Sequence, residues 1–370
     1  MIKIFSEHVL ILVWLAFVAF LGKQLAYPKP TWVLGKEEMR YSKAFAIIVG
    51  LPLIFIAGNR SFWFADTASY YGGFLQMPTT MEGIPVYMDT MSKDKFFYFV
   101  TVLFKCVISQ DYRVYLIIVA AIQILCLVSV YRLLSSDYIL SITLFVLSTD
   151  FIIWTHNGMR QFLAVSIAFL ATPFILRKKY IPAVLIILFA SLFHQTALMM
   201  IPLLFILIGE AWNKKTIIII VFVIIAVMFA GRFTNLLDSA LSDTQYKNVV
   251  TDIEKYGDDG TNPLRVAVYS VPAIIAFFGR KKIIACDNKL IHYCTNASII
   301  TAGMYLLSMF ISGSYVGRLP IYVSLCNYIL LPWEIENIIP QKSQQIFKVL
   351  MIIAYLAFYY AILHFNYSII

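Results

Sequence analysis

Residues 114–131 read VYLIIVAAIQILCLVSVY, a stretch without a single charged side chain. As an α-helix it would be about 27 Å long, close to the roughly 30 Å thickness of the hydrocarbon core of a bilayer. Comparable runs recur along the 370 residues, so 61% of the chain is hydrophobic and only 13% is charged, with a mean hydropathy of +0.81. Soluble domains carry about a quarter charged residues. The composition therefore predicts a polytopic integral membrane protein.

Twelve apolar runs are predicted to be transmembrane helices. They are residues 8–22, 44–58, 114–131, 138–154, 160–176, 180–193, 195–209, 215–231, 263–279, 290–311, 319–333 and 346–365. Short polar loops separate most of these runs. The predicted fold class is therefore all-α, with residues 1–370 forming a single transmembrane domain.

Basic clusters orient the predicted helices. The loop 23–43 and the clusters Arg177–Lys179, Lys214–Lys215 and Arg280–Lys282 are expected to face the cytoplasm, because cytoplasmic loops are enriched in lysine and arginine. These clusters also account for much of the net charge of +9. Membrane lipid is therefore an expected partner, and nucleic acid is not.

This orientation decides two further regions. Clusters on the same side must be separated by an even number of crossings, so the segment between the second and third clusters must form two short helices that turn at Phe193-His194-Gln195. The apolar run 96–108 cannot be a crossing for the same reason, and we expect an interfacial or re-entrant helix there. Two larger loops, about 59–113 and 232–262, are then expected on the outer side of the membrane.

Four arginines lie at outer membrane boundaries, where the positive-inside rule disfavours them: Arg60, Arg113, Arg160 and Arg318. Three of them open helices that run inward, where a cation meets the positive end of the helix dipole at a cost of roughly 0.3 to 1 kcal/mol. Helix N-termini and guanidinium groups together suit a pyrophosphate. Pairing with a nearby acid or with lipid phosphate is the alternative for each arginine.

Other polar residues lie close to the same boundary. Asn157 and Arg160 are three residues apart and share a helix face, although Asn157 also suits a simple helix cap. His194, at the predicted turn, is a candidate general base or a structural histidine bonded to the turn. Asp66 lies in an aromatic segment suited to sugar rings, where it is a candidate base or sugar ligand or the counter-ion of Arg60.

Several common chemistries lack a sequence signal. No G-x-S-x-G, Walker A, H-E-x-x-H or Cys/His metal pattern occurs. The five cysteines fall in or beside apolar runs with no C-x-x-C pair, which favours a role in packing. We therefore predict neither a metal nor a cofactor.

Three motifs resemble those of a known family. Asn59-Arg60, followed by Asp66 and Tyr70, comes after the second predicted span; residues 157–164 read NGMRQFLA, and residues 192–198 read LFHQTAL. In order and separation they resemble the EpsG family of bacterial exopolysaccharide and O-antigen polymerases, the Wzy-type enzymes. The resemblance is clearest from about residue 50 to residue 205.

The resemblance implies a GT-C-like polymerase architecture and a metal-independent glycosyltransferase of the bacterial inner membrane, with its active site facing the periplasm. In such an enzyme a growing glycan on undecaprenyl pyrophosphate moves to the non-reducing end of an incoming lipid-linked repeat unit. The lipid-linked glycan is then both donor and acceptor, and a chain-length regulator protein is a candidate partner.

The resemblance also implies roles for individual residues. The leaving pyrophosphate is assigned to Arg160 and Arg318, helped by Arg60 or Arg113. His194 or Asp66 takes the proton of the acceptor hydroxyl. Three further residues are assigned to contacts with the substrate: Asn157, Gln161 and Tyr70.

Other functions fit part of the pattern. A flippase of lipid-linked oligosaccharides also has about twelve spans, but its cations should line a cavity reached from both sides, whereas these four arginines map to one side. A lipid-linked monosaccharide transferase should carry acidic residues in its first outer loop, and Asp66 alone barely satisfies this. An acyltransferase should carry a cytoplasmic histidine among basic residues, whereas His194 is predicted outside.

Overall fold

The structure is a computed structural model that describes residues 2–229 and 260–367. It is mostly helical, which confirms the predicted class of helical membrane protein. The predicted outer loop at 232–262 lies, as far as residue 259, outside the described residues. The chain divides into two compact units, Met1–Met200 with Ile352–Ile370, and Ile201–Met351.

Long apolar helices make this a membrane-integral protein. In the described part of the chain, four are long and apolar enough to cross a membrane: Tyr112–Leu134, Met159–Leu176, Lys289–Ile311 and Gln341–Phe365. The bent pair Tyr138–Leu147 and Asp150–His156 makes a fifth candidate. Five shorter apolar helices are Glu7–Gly22, Lys43–Gly58, Tyr180–Phe193, Gln195–Leu207 and Pro263–Phe278. The number of twelve spans and the GT-C-like arrangement stay predictions.

The first unit contains most of the helices. They are α1 (Ile2–Leu25), α2 (Lys43–Gly58), α3 (Thr67–Gln76), α4 (Ile84–Asp89), α5 (Lys95–Val107), α6 (Tyr112–Leu134), α7 (Tyr138–Leu147), α8 (Asp150–His156), α9 (Met159–Phe169), α10 (Thr172–Leu176) and α11 (Tyr180–Phe193). Short 3₁₀ helices cover Met81–Gly83 and Gln195–Met199. Helix α12 (Met200–Leu207) follows directly, and all of it beyond Met200 belongs to the second unit. The prediction of one transmembrane domain stays a prediction.

The second unit is also built from helices. They are α13 (Lys214–Met228), α14 (Pro263–Phe278), α15 (Arg280–Ala285), α16 (Lys289–Ile311), α17 (Ile321–Ser324), α18 (Asn327–Asn337) and the first part of α19 (Gln344–Tyr367), with 3₁₀ turns at Val316–Arg318 and Gln341–Ser343. The predicted span 319–333 is therefore not one helix but α17 and the start of α18. The buried amide of Asn296 in α16 donates to the Leu207 carbonyl at 3.2 Å.

A β-hairpin corrects the all-α prediction. Strands β1 (Lys29–Val33) and β2 (Lys36–Arg40) pair antiparallel, with Lys29 opposite Arg40. Leu34 and Gly35 both have positive φ, 50° and 91°, as a two-residue type I′ turn requires. The hairpin lies within the predicted basic loop 23–43.

A close helix contact fixes the start of the predicted outer loop 59–113. Helix α2 packs along α6, and a Cβ atom at Gly58 would lie 2.8 Å from the Cα of Ile117 in α6. Only glycine permits this approach. The end of α2, with Asn59 and Arg60, is thereby held beside the start of α6, with Arg113.

Predicted span 138–154 is broken. Helices α7 and α8 meet at an angle of 63°, and Thr149 between them has a φ of 72°. The buried Asp150 carboxylate accepts a hydrogen bond of 3.1 Å from the indole N–H of Trp154. This bend sets the direction of α8, which leads to Asn157 and Arg160.

The turn at His194 and the helix over run 96–108 are both present. Helix α11 ends at Phe193 and the 3₁₀ helix begins at Gln195, with His194 between them. Helix α5 covers most of run 96–108, and its interfacial or re-entrant position stays a prediction. The buried Lys105 ammonium donates to the carbonyls of Phe74 and Met77 at 2.7 and 2.6 Å, so α5 holds the end of α3.

Candidate functional site

A cavity of about 220 Å³ lies in the first unit, between α3, α5 and the first turns of α6 and α9. Five aromatic side chains line it: Tyr70, Phe97, Tyr98, Tyr112 and Tyr115. Its polar lining comes from Asp66, Ser69, Thr101 and Arg160. We name this cavity the aromatic chamber. Flat rings combined with hydroxyl, carboxylate and guanidinium groups suit a sugar that carries a charged substituent.

Arg160 is the cation of the aromatic chamber. Its Nε donates to the Tyr70 hydroxyl and its Nη1 to the Tyr98 hydroxyl, each at 3.3 Å. Its Cζ lies 5.7 Å from the centre of the Tyr70 ring and 5.4 Å from that of Tyr98, within the range of cation–π attraction. An ion pair of 3.0 Å joins Nη1 to a carboxylate oxygen of Asp94. The guanidinium is thus held in one orientation beside the cavity.

Asp66 contributes a carboxylate to the lining of the chamber. With its side-chain amide oriented to donate, Asn157 bonds both carboxylate oxygens of Asp66, at 2.8 and 3.0 Å. Asp66 occupies the N-cap position of α3, but its side chain makes no capping bond. The carboxylate is therefore positioned by Asn157 rather than by the helix it precedes.

Tyr70 complements Asp66 as a neutral group. Burial raises the pKa of Tyr70 above its ordinary value, and the charge of Arg160 acts in the opposite direction with a smaller effect. Its hydroxyl accepts from Arg160 Nε and retains its own proton at neutral pH. The Tyr70 hydroxyl can therefore donate to an oxygen atom of a ligand in the chamber.

Gly158 gives Arg160 its position. The chain turns between α8 and α9 through Gly158, whose φ is +89°, a left-handed conformation that favours glycine. The carbonyl of Gly158 accepts from the Phe162 amide at 3.0 Å, which starts α9. Arg160 therefore lies in the first turn of α9, whereas Asn157 is extended, with φ −124° and ψ 112°, and belongs to neither helix. The prediction that the two share a helix face is wrong, because the turn at Gly158 separates them.

Arg60 belongs to the scaffold of the chamber rather than to its lining. Its buried guanidinium donates to Thr67 Oγ1 at 3.0 Å, to the Ala57 carbonyl at 2.8 Å and to the sulfur of Met159 at 3.2 Å. The Thr67 hydroxyl in turn contacts the His156 carbonyl. Burial lowers the pKa of Arg60 to about 10, with nearby tyrosines opposing this shift. Arg60 thus stays charged at neutral pH and ties the ends of α2, α3 and α8 together.

The Arg113 guanidinium also contacts protein groups. Its Nη1 donates to the carbonyl and side-chain oxygens of Asn59, at 3.2 and 3.3 Å, and its guanidinium lies 4.8 Å from the centre of the Phe62 ring. Its backbone N–H is capped by Asp111 at 2.8 Å. Arg113 is half-buried and does not belong to the chamber lining.

His194 and Gln161 lie outside the chamber lining. His194 is half-buried, and its Nδ1 lies 2.7 Å from the Thr196 hydroxyl. Its neighbour Phe193 packs against Phe96 of α5, with 5.1 Å between ring centres. Gln161 is buried one residue beyond Arg160. Their predicted roles stay predictions.

Arg318 belongs to the second unit, where it ends the 3₁₀ turn Val316–Arg318 and is half-buried. Gly317, just before it, has little free space, because an added Cβ would lie close to the Thr261 hydroxyl. The predicted pyrophosphate-binding role of Arg318 stays a prediction.

Sequence reasoning assigned no site role to much of the chamber lining, including Ser69, Phe97, Tyr98, Thr101, Tyr112 and Tyr115, or to Asp94 beside it. A signal for Thr101 exists, since Phe97, Thr101 and Phe104 recur on one buried face of α5. No local signal links Asp94 or Tyr98 to Arg160, because more than sixty residues separate them.

No group of three or more histidine, cysteine or acidic side chains is arranged to hold a metal within residues 2–229 and 260–367. The predicted metal independence of the reaction stays a prediction.

Comparison with known proteins gives one match. The family model described as the EpsG family matches residues 43–369, nearly the whole chain. No curated protein and no solved structure matches the chain.

Proposed function

Because this chain belongs to the EpsG family, a family of Wzy-like polymerases, we propose that it joins lipid-linked glycan repeat units by glycosyl transfer at the periplasmic face of a bacterial inner membrane. The single observation that carries this proposal is the aromatic chamber, in which the Asp66 carboxylate and the Arg160 guanidinium line one cavity. One group is suited to accepting a proton and the other to binding a leaving anion.

In the proposed reaction, Asp66 accepts the proton and Arg160 stabilises the leaving group. The acceptor hydroxyl oxygen forms a bond to the anomeric carbon of the donor glycan, and the bond from that carbon to the undecaprenyl pyrophosphate oxygen breaks. The pyrophosphate leaves with the electron pair, and Arg160 stabilises its added negative charge. Asp66 takes the proton of the hydroxyl.

The chamber supports Asp66 over His194 as the base. Asp66 lines the cavity that also contains Arg160, whereas His194 is not among the lining residues. The amide of Asn157 positions the Asp66 carboxylate through both oxygens. A carboxylate that is fixed in this way keeps one geometry toward a substrate hydroxyl.

The chamber also suits a sugar by its size and lining. A volume of about 220 Å³ holds about one pyranose ring rather than a long glycan. Tyr70, Tyr98 and Tyr112 contribute aromatic rings to the lining, and Ser69 contributes a hydroxyl group. We therefore place the sugar nearest the pyrophosphate in the chamber.

A glycan ladder tests the proposal. A strain deleted for this gene is complemented with wild type, Arg160→Gln or Arg113→Gln at equal membrane abundance, and its glycan is separated on gels. We expect single-repeat glycan in the deletion strain, a full ladder with wild type and Arg113→Gln, and no ladder with Arg160→Gln. Loss of even the single-repeat glycan in the deletion strain, with lipid-linked units trapped inside, would instead identify a flippase.

A further inference from the structure

Asp94 departs from the usual pattern of helix capping. It precedes α5 at the N-cap position, where an aspartate normally accepts a hydrogen bond from the first turn, yet its side chain makes no such bond. Its backbone is left-handed, with φ 47° and ψ 42°. Apart from glycine, mainly asparagine and aspartate adopt this conformation. An aspartate that makes no capping bond and pairs elsewhere departs from the local pattern, and such departures are expected at functional positions.

The carboxylate of Asp94 is directed at Arg160 instead. The Oδ2 atom lies 3.0 Å from Arg160 Nη1, and only 6% of the Asp94 side chain is exposed. Lys93 and Lys95, its exposed neighbours, lie on the surface. The Asp94 carboxylate is therefore buried against the Arg160 guanidinium.

The Arg160 guanidinium still has room for a ligand. Its hydrogen bonds within the described residues use Nε and Nη1, and none uses Nη2. An anion can therefore approach through Nη2 while Asp94 holds Nη1. An anion that binds the end of the guanidinium in a bidentate manner uses both terminal nitrogens, so this binding mode requires Asp94 to leave Nη1.

We propose that the Asp94 carboxylate occupies the place of a phosphate oxygen at Arg160, and that the pyrophosphate of the lipid-linked substrate displaces it on binding. Asp94 is thus a built-in competitor that holds Arg160 in its binding orientation before the ligand arrives. This proposal rests on the proposed function for the identity of the anion.

The Asp94→Asn variant tests this competition with little change to the fold. Asparagine tolerates a left-handed backbone and caps helices as well as aspartate does. The substitution removes the competing negative charge and leaves the shape of the side chain. A neutral hydrogen bond competes more weakly than a charged one, by about tenfold in binding.

The experiment measures inorganic pyrophosphate binding to the full chain in phosphatidylcholine nanodiscs by titration calorimetry. We expect Asp94→Asn to bind about tenfold more tightly than wild type. Asp89→Asn is the matched control, because Asp89 is an exposed acid at the end of α4 and gives the same change in net charge. It should bind within about twofold of wild type, and Asp94→Asn should give no gain in an Arg160→Gln background.

Three results would overturn the proposal. Equal gains for Asp94→Asn and Asp89→Asn would show a general field effect, and an unchanged or weaker affinity of Asp94→Asn would show that Asp94 helps to bind the anion. If the difference in pyrophosphate affinity between wild type and Asp94→Asn disappears when anionic lipid is added to the nanodiscs, the ligand is a lipid headgroup.

The glycan ladder keeps this proposal separate from the proposed function. If pyrophosphate binding shows the expected gain but the ladder does not depend on the protein, the polymerase proposal fails and the competition at Arg160 stands. If the ladder depends on Arg160 but pyrophosphate binding is insensitive to Asp94, the competition fails and the polymerase proposal stands.

Discussion

Replacing Gly158 by alanine should displace Arg160 without any steric clash. The φ of Gly158 is +89°, and an added Cβ would lie 3.5 Å from the Trp154 ring, an ordinary van der Waals contact. The cost is therefore that of a left-handed backbone for an L-residue, about 1 to 2 kcal/mol. The chain relieves this cost by rotating the segment between α8 and α9, which moves Asn157 and Arg160.

Gly35 provides a matched control. Its φ is +91°, an added Cβ would meet nothing within 4 Å, and it lies in the turn of the β-hairpin. Gly35→Ala should therefore cost the same free energy of unfolding, about 1 to 2 kcal/mol, with no displacement of the aromatic chamber. Asparagine at Gly158 should restore part of the loss, because asparagine tolerates this conformation.

The assay compares thermal stability and polymer formation for Gly158→Ala, Gly158→Asn and Gly35→Ala at equal membrane abundance. We expect similar stability losses for the two alanine variants. Because a displacement of about 1 Å can cost around 100-fold in rate, Gly158→Ala should lose at least tenfold in polymer formation, whereas Gly35→Ala should keep within twofold of wild type. Equal activity losses in the two alanine variants would refute the role of Gly158 in placing Arg160.

Three further predictions follow from the site. Arg60→Ala should destabilise the protein by roughly 3 kcal/mol or more, because it leaves buried acceptors unpaired, whereas Arg113→Ala should keep the melting temperature within a few degrees; wild-type stability of Arg60→Ala would refute its scaffold role. Tyr98→Phe should lower kcat/KM about fivefold at normal stability, since it removes one hydrogen bond to Arg160; an unchanged kcat/KM would exclude that contact. Asp66→Asn should reduce turnover by about 100- to 10,000-fold, whereas His194→Ala should reduce it less than tenfold; the reverse order would make His194 the base.

The helices of the membrane region were largely predictable from the sequence. Long runs without charged residues, such as 114–131 and 290–311, became α6 and α16, because backbone groups in a bilayer must be satisfied within one helix. The turn at His194 followed from counting crossings between basic clusters. Both inferences depend on hydrophobicity and charge over many residues rather than on single positions.

Breaks inside helices were not predictable in the same way. Thr149 bends the α7–α8 pair without a proline or glycine at that position, and tertiary packing around the buried Asp150 supports the bend. The β-hairpin was missed because its strands are polar and short. Its strongest signal was Leu34-Gly35, a weaker turn sequence than Asn-Gly.

The candidate site was predicted only in part. Its unusual cation, Arg160, was predicted from its position at a predicted membrane boundary, and Asp66 and Asn157 from their polar side chains near that boundary. Tyr70 was predicted only from the resemblance to the EpsG family. The sequence did not show that Arg60 is buried against protein acceptors, because burial of an arginine depends on contacts distant along the chain. The pairing of Arg160 with Asp94 was hidden for the same reason.

The most direct test of the central claim uses purified protein in proteoliposomes that contain lipid-linked repeat units as the only glycan. The account predicts that wild type converts them into a ladder of longer glycans and releases one undecaprenyl pyrophosphate for each bond formed, and that Arg160→Gln does neither while remaining folded. Movement of unchanged repeat units across the membrane by wild type, with no ladder and no released pyrophosphate, would contradict it.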